Sequence, residues 1–193
     1  MRVIAGKYKG RTLSTVPDLS VRPATDRVKS AIFNILQSKV HWGSANVLDL
    51  YAGSGSIGIE ALSRGAKKVV FVEQDKNALT FLKNNITHVG ADNESSIIFG
   101  DVSRYLQSKP PTYNVVFADP PYAIDALASL PTAIFESGVV SSDGILIMEH
   151  PTYFKFTPHV LWEAFDERTY GRTAISFFQH NTAQEIVHEK APE

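Results

Sequence analysis

Apolar residues along this chain come in short unbroken runs, separated by stretches where they recur every three or four positions. The runs in NVLDL (46–50), KKVVFVE (67–73), SIIFG (96–100), YNVVFAD (113–119) and GILIMEH (144–150) read as strands buried on both faces. Between them, 75–89 sets Ala78, Leu79, Leu82 and Ile86 on one helical face, and SIGIEALSRGA reads as a helix closed by Gly65. A short helix is expected through Tyr105 and Leu106, and a longer one over 124–136. Val28, Ala31, Ile32, Ile35 and Leu36 have helical spacing within 24–38, and Thr25 or Asp26 is placed to cap that helix. Strands alternating with helices predict an α/β fold, a parallel sheet covered on both faces. The ends differ. GKYKG is flanked by extended runs at 2–5 and 11–15, a small hairpin, and VLWEAFDERTYGRTAISFFQH reads as two antiparallel strands about Tyr170-Gly171. Residues 181–193 are polar and expected to fray.

At 193 residues the chain is long enough for one well-cored domain, with 44% hydrophobic and 20% charged residues. It lacks a run long enough to span a membrane and the apolar core of a signal peptide, so no membrane partner is expected, and with no cysteine for a disulfide framework the expected location is the cytoplasm. The absence of cysteine excludes thiolate catalysis, including covalent attack on a pyrimidine, and any cysteine-based zinc site. The six histidines show no paired ligand spacing, and no metal is expected. The net charge of −1 hides an asymmetry: residues 1–29 carry +5 and the rest −6. A basic end on an acidic body points to a polyanion held at one edge.

The chemistry gathers where the strands end. The first strand leads into Gly53-Ser54-Gly55-Ser56-Ile57-Gly58, and an acid, Glu73, closes the second strand 20 residues after Gly53. That pair fits a dinucleotide or an adenosine-type cofactor alike. Asp49 lies inside the first strand, where it would repel a pyrophosphate and attract a cationic amine. Gly100-Asp101-Val102 ends the third strand, with Asp101 placed to accept from an adenine amino group. Asp119-Pro120-Pro121-Tyr122 ends the fourth, because a central strand cannot run through proline. The prolines stiffen the backbone and hold a carboxylate, a carbonyl and a ring at one mouth.

LDLYAGSG, FVEQD, GDV and DPPY together resemble a class I S-adenosylmethionine-dependent methyltransferase of the amino-methylating group. MRVIAGKYKGRTL, RPATDRVKSAIFNIL and YGRTAISFF resemble more closely the RsmD family of small-subunit ribosomal RNA guanine-N2 methyltransferases, a likeness running from Met1 to about Phe178. The resemblance implies a Rossmann-like seven-stranded sheet with its last strand antiparallel, at 24–180, and an RNA-contacting N-terminal hairpin and linker at 1–23. It implies S-adenosylmethionine as methyl donor, held by Asp49, Ala52, Gly53, Ser54, Gly55, Glu73, Gln74, Asp101 and Val102. It also implies a monomer acting on 16S rRNA in an assembled or nearly assembled small subunit. Asp119, Pro120 and Tyr122 would form the catalytic fork, and Arg2, Lys7, Lys9, Arg11, Arg22, Thr25 and Arg27 would contact RNA. The sequence departs from the family in two places: Ala24 stands where members usually carry Thr, and DPPYAIDAL lacks the basic residue often found just after the motif.

A guanine N2 lone pair is delocalised into its ring and is a poor nucleophile. Acceptors at Asp119 and Pro120 would hold the nitrogen in line and stabilise the charge that develops there, with Tyr122 stacking on an extruded base. The same fork serves adenine N6, since both targets are exocyclic amines. Two rival classes are a non-catalytic RNA-binding module and a nicotinamide enzyme. Thermal stabilisation by S-adenosylmethionine, by NAD or by neither separates the three.

Overall fold

The structure, a computed structural model, describes residues 1–15, 26–121 and 125–181. Arg22, Ala24, Thr25 and Tyr122 therefore lie outside the described residues, as does the polar tail from 182 onward. The elements run α1 (Asp26–Leu36), β1 (Asn46–Leu50), α2 (Ser56–Ser63), β2 (Lys68–Glu73), α3 (Lys76–Val89), β3 (Ser95–Phe99) and α4 (Val102–Gln107). They continue with β4 (Tyr113–Ala118), α5 (Leu130–Glu136), β5 (Val140–Pro151), β6 (Trp162–Tyr170) and β7 (Thr173–His180). The seven strands form one sheet in the order β3-β2-β1-β4-β5-β7-β6, parallel through β5, with β7 antiparallel to both its neighbours. This is the Rossmann-like, doubly wound arrangement. Its strand order reverses between β1 and β4, where the carboxyl ends open a crevice.

Alternation along the strands builds two cores. Val47, Phe71, Phe117 and Ile147 pack with α1, α2 and α3 on one face, through residues such as Phe33, Ile59 and Leu82. Leu48, Val72, Val116 and Met148 pack with α4 and α5 on the other, through Leu106 and Ile134. Trp162 is buried in the second core, as its apolar context predicts.

Two boundaries differ from the sequence pattern. The helix expected over 124–136 is broken into a 3-10 turn at Asp125–Ala128 and α5, because Pro131 lacks an N–H and takes the first turn of a helix. The fifth strand starts at Val140, not at Gly144: Val140 pairs with Tyr113, and the register then jumps to Val115 with Ile145 across a bulge.

The N-terminal segment makes a hairpin-like loop with one ladder bridge, Arg2 to Thr12, closed by Val3 N–H to Arg11 O at 2.9 Å and Leu13 N–H to Met1 O at 2.8 Å. It is strapped onto α2. Val3, Tyr8 and Leu13 enter the α2-side core. The fully buried Glu60 carboxylate accepts from Ile4 N–H at 2.7 Å and Ala5 N–H at 3.1 Å, and Arg64 Nε reaches it at 2.8 Å. Lys29 of α1, also fully buried, lies 3.9 Å from Glu60 and donates to Arg2 O at 2.6 Å. Burial pulls the Lys29 ammonium below its ordinary range, against the opposite pull of Glu60. Gly6 has a left-handed φ of 81°, and a Cβ there would land on the Ser63 carbonyl.

Candidate active site

Among the described residues, five carboxylates stand at the carboxyl ends of five adjacent strands: Asp49, Glu73, Asp101, Asp119 and Glu149 on β1, β2, β3, β4 and β5. Strand alternation explains the grouping. Asp49, Glu73, Asp119 and Glu149 each lie two residues beyond a side chain of the α2-side core, namely Val47, Phe71, Phe117 and Ile147. The registers pair Leu50 with Ala118 and Ala118 with Met148, which brings Tyr51, Asp119 and Glu149 to one level across three strands.

The acids also fasten the glycine loop. Asp49 is buried beneath it and accepts from Gly58 N–H at 2.9 Å. Burial lifts the Asp49 pKa to about 8; the Gly58 N–H opposes the shift and the Glu73 charge adds to it. Glu73, also buried, accepts from Gly53 N–H at 2.6 Å and Asp75 N–H at 2.7 Å. Asp101 is the N-cap of α4 and accepts from Arg104 N–H at 3.1 Å. So three acids assigned to a ligand each hold a backbone donor as well, and each retains lone pairs for a second partner. A Cβ at Gly58 would strike the Phe71 ring, whereas one at Gly53 would meet nothing: the loop is packed tightly behind and open in front.

That open side has the character of an anion site. The N-cap of α2 is Gly55, with no side-chain cap, and the buried hydroxyl of Ser56 has no hydrogen-bond partner among the described residues. A helix N-terminus whose Gly58 N–H is taken by Asp49 but whose Ser56 hydroxyl is unpartnered among the described residues, set beside a ring of acids, suits a ligand with a carboxylate at one end and positive charge at the other. Pyrophosphate would lie against Asp49 and Glu73. Ala52 is buried and donates to Val72 O at 3.1 Å, Ser54 is half-buried, and Gln74 is exposed beyond Glu73. The Val102 side chain belongs to the core under α4, leaving the backbone of that turn for any ligand contact.

Asp119 is exposed at the end of the middle strand, followed by buried Pro120 and exposed Pro121. Although the residue as a whole meets solvent, the protein crowded around its carboxyl desolvates that group, and this, then the charges of Glu149 and of Asp49, holds it well above the ordinary range. Tyr122 lies outside the described residues.

Two residues at this mouth carry no clear mark in the sequence. Glu149 needed the β4–β5 register to be seen. Tyr51 sits in a left-handed conformation, φ 60°, and its hydroxyl pKa is raised to about 12 by burial and by Asp101. Its place directly before the glycine loop is the one signal the sequence carried.

The basic end is more engaged than its charge suggests. Arg2 pairs with Asp26 at 2.8 Å, and Arg11 donates to His88 O at 2.8 Å, closing the end of α3. Lys7, Lys9 and Arg27 are exposed. The cleft lined by Phe156, His159, Trp162 and Asn181 lies at the opposite end of the sheet and gathers none of the five acids.

The profile of the family described as "Conserved hypothetical protein 95" matches residues 1–179. A Haemophilus influenzae protein named ribosomal RNA small subunit methyltransferase D is 32% identical over 183 residues, 93% of this chain and 94% of that one. The Escherichia coli K12 protein of the same name is 28% identical, over 96% of this chain and 92% of that one. Among solved structures, a putative methyltransferase from Escherichia coli matches with a TM-score of 0.84 at 28% identity, covering 94% of this chain and 98% of that one.

Proposed function

The chain belongs to the RsmD family, and on that premise we propose that it is an rRNA methyltransferase that moves a methyl group from S-adenosylmethionine to the N2 amine of a guanine in 16S rRNA. It acts as a monomer in the cytoplasm, on an assembled or nearly assembled small subunit. One observation supports this above the others: five strand-end acids, Asp49 and Asp119 on neighbouring strands among them, gather beside the α2 N-terminus, where the Ser56 hydroxyl has no partner among the described residues.

S-adenosylmethionine, when bound, supplies an electrophilic methyl on a sulfonium; its carboxylate suits the α2 N-terminus and Ser56, its cationic centres suit Asp49, and its ribose and adenine suit Glu73 and Asp101. Asp119 and the Pro120 carbonyl accept the two N–H groups of the target amine, aiming its lone pair and countering the charge that grows on nitrogen. A carboxylate whose pKa lies above the ordinary range is also the better proton acceptor for the hydrogen that the amine must shed. Tyr122 stacks on the extruded base. The strap cations hold phosphate outside the acidic mouth, which would repel a polyanion. Adenine N6 would satisfy the same fork. The test is methylation of small subunits from a strain lacking the gene, using labelled S-adenosylmethionine, followed by nucleoside mass spectrometry. N2-methylguanosine is expected; N6-methyladenosine would change the base, and no product would reject the reading.

A further inference from the structure

Asn85, on α3, is 2% exposed and carries a polar amide into a core of Leu82, Ile86 and Val89. Its Nδ2 donates to Ser54 O, in the middle of the glycine loop, at 2.9 Å. The same Nδ2 donates to Ser14 O at 2.8 Å, and its Oδ1 accepts from Ser14 N–H at 2.9 Å. One side chain thus pairs both backbone groups of Ser14, as a strand partner would, and reaches the loop with the same nitrogen. Ser14 ends the strap that carries Lys7, Lys9 and Arg11, and the strap is anchored independently on α2 through Glu60 and Ser63. Replacing Asn85 would remove three part-buried hydrogen bonds at once and leave the strap end and the glycine loop with no side chain joining them.

We propose that Asn85 is a positioning residue for the cofactor loop, and that through it polyanion binding on the strap and cofactor binding at the loop are coupled. The inference rests on the S-adenosylmethionine reading above. A polyanion that settles the strap settles Ser14, and with it the Ser54 carbonyl and the start of α2. By linkage, a cofactor that settles the loop favours the polyanion by the same factor.

The test is calorimetric titration of S-adenosylhomocysteine into the wild type, Asn85→Ala and Asn85→Asp, with and without a poly(U) oligonucleotide. Asn85→Ala should weaken S-adenosylhomocysteine binding by about tenfold to a hundredfold, while oligonucleotide affinity in the absence of cofactor stays within about twofold. Asn85→Asp keeps the acceptor for Ser14 N–H but, ionised, offers no donor to Ser54 O, and should weaken S-adenosylhomocysteine binding as Ala does. The oligonucleotide should tighten S-adenosylhomocysteine binding in wild type and leave Asn85→Ala unaffected. Wild-type affinity in Asn85→Ala, or coupling that survives the substitution, overturns the inference. Should Asn85→Ala not fold, hydrogen exchange on wild type decides: oligonucleotide must slow the amides of 53–58, and unchanged exchange there overturns the coupling. A wild type that binds no S-adenosylhomocysteine overturns the functional reading as well, which separates the two failures.

Discussion

Asp119 and Glu149 stand side by side at the carboxyl ends of neighbouring parallel strands, each one residue past the Ala118–Met148 pair. Glu149 is the nearest charged reason that the Asp119 carboxyl resists ionisation. Glu149→Gln should therefore lower the Asp119 pKa, keeping the accepting, ionised form to lower pH. In single-turnover kinetics the acidic limb of the pH–rate profile should move to lower pH. An unmoved limb would mean that Asp119 ionisation does not govern the rate.

Asp119→Ala should cut methyl transfer by about 10²–10³, the scale of removing one preorganised acceptor. Binding of S-adenosylhomocysteine should stay close to wild type if Asp119 faces the substrate, as proposed. Equal reduction of both would place Asp119 in the cofactor site.

Asp49 makes the cofactor-free protein pH-sensitive, and the sign follows from its two states. Unfolded, an aspartate titrates near 3.9; folded, Asp49 titrates at about 8. Below about pH 4 both states hold the proton and stability is unaffected. Between about 4 and 8 only the unfolded chain releases it, so stability falls as pH rises. Asp49→Asn keeps an acceptor for Gly58 and removes this titration. Its melting temperature should match wild type near pH 4 and exceed it by roughly ten degrees or more at pH 8. Its affinity for S-adenosylmethionine should drop.

Asp101 has a structural duty and a proposed ligand duty, which two substitutions separate. Asp101→Ala loses the α4 cap, worth about 0.5–2 kcal/mol, together with cofactor affinity. Asp101→Asn keeps the cap and should bind S-adenosylmethionine more weakly at wild-type stability. If calorimetry shows wild-type binding by the Asn variant, its carboxylate charge plays no part in binding.

The strap cations should divide into two classes. Lys7 and Lys9 are exposed, whereas Arg2 and Arg11 already hold Asp26 and the His88 carbonyl. Replacing both lysines with Gln should flatten the slope of log RNA affinity against log salt by roughly 0.7–0.9 for each phosphate no longer neutralised. Replacing the two arginines should flatten it less and lower the melting temperature more. The reverse pattern would show that the arginines leave their partners to grip RNA.

The sheet was legible because parallel strands buried on both faces read as unbroken apolar runs, and because Asp119-Pro120 ends a strand that proline cannot continue. Asp49, Glu73, Asp101 and Asp119 could be found one strand at a time. Glu149 could not, since its place beside Asp119 depends on a bulge that shifts the β5 register. Asn85 was equally hidden: its partners Ser14 and Ser54 lie 71 and 31 residues away, and an Asn on a helix carries no mark of what it bridges. The engagement of Arg2 and Arg11 is likewise tertiary, so charge counting overstated the free cations.

The strap also meets its partners late in synthesis. Residues 1–15 leave the ribosome well ahead of the groups that hold them, since Glu60, Ser63 and Asn85 follow 55 to 71 residues later. At a synthesis rate of about 5–20 residues per second, the strap waits several seconds with Val3, Tyr8 and Leu13 uncovered. Throughout that interval it is an exposed apolar stretch bearing Arg2, Lys7, Lys9 and Arg11, open to chaperones and to any polyanion close at hand. Its apolar side chains belong to the α2-side core, so a segment made first must wait for anchors made later.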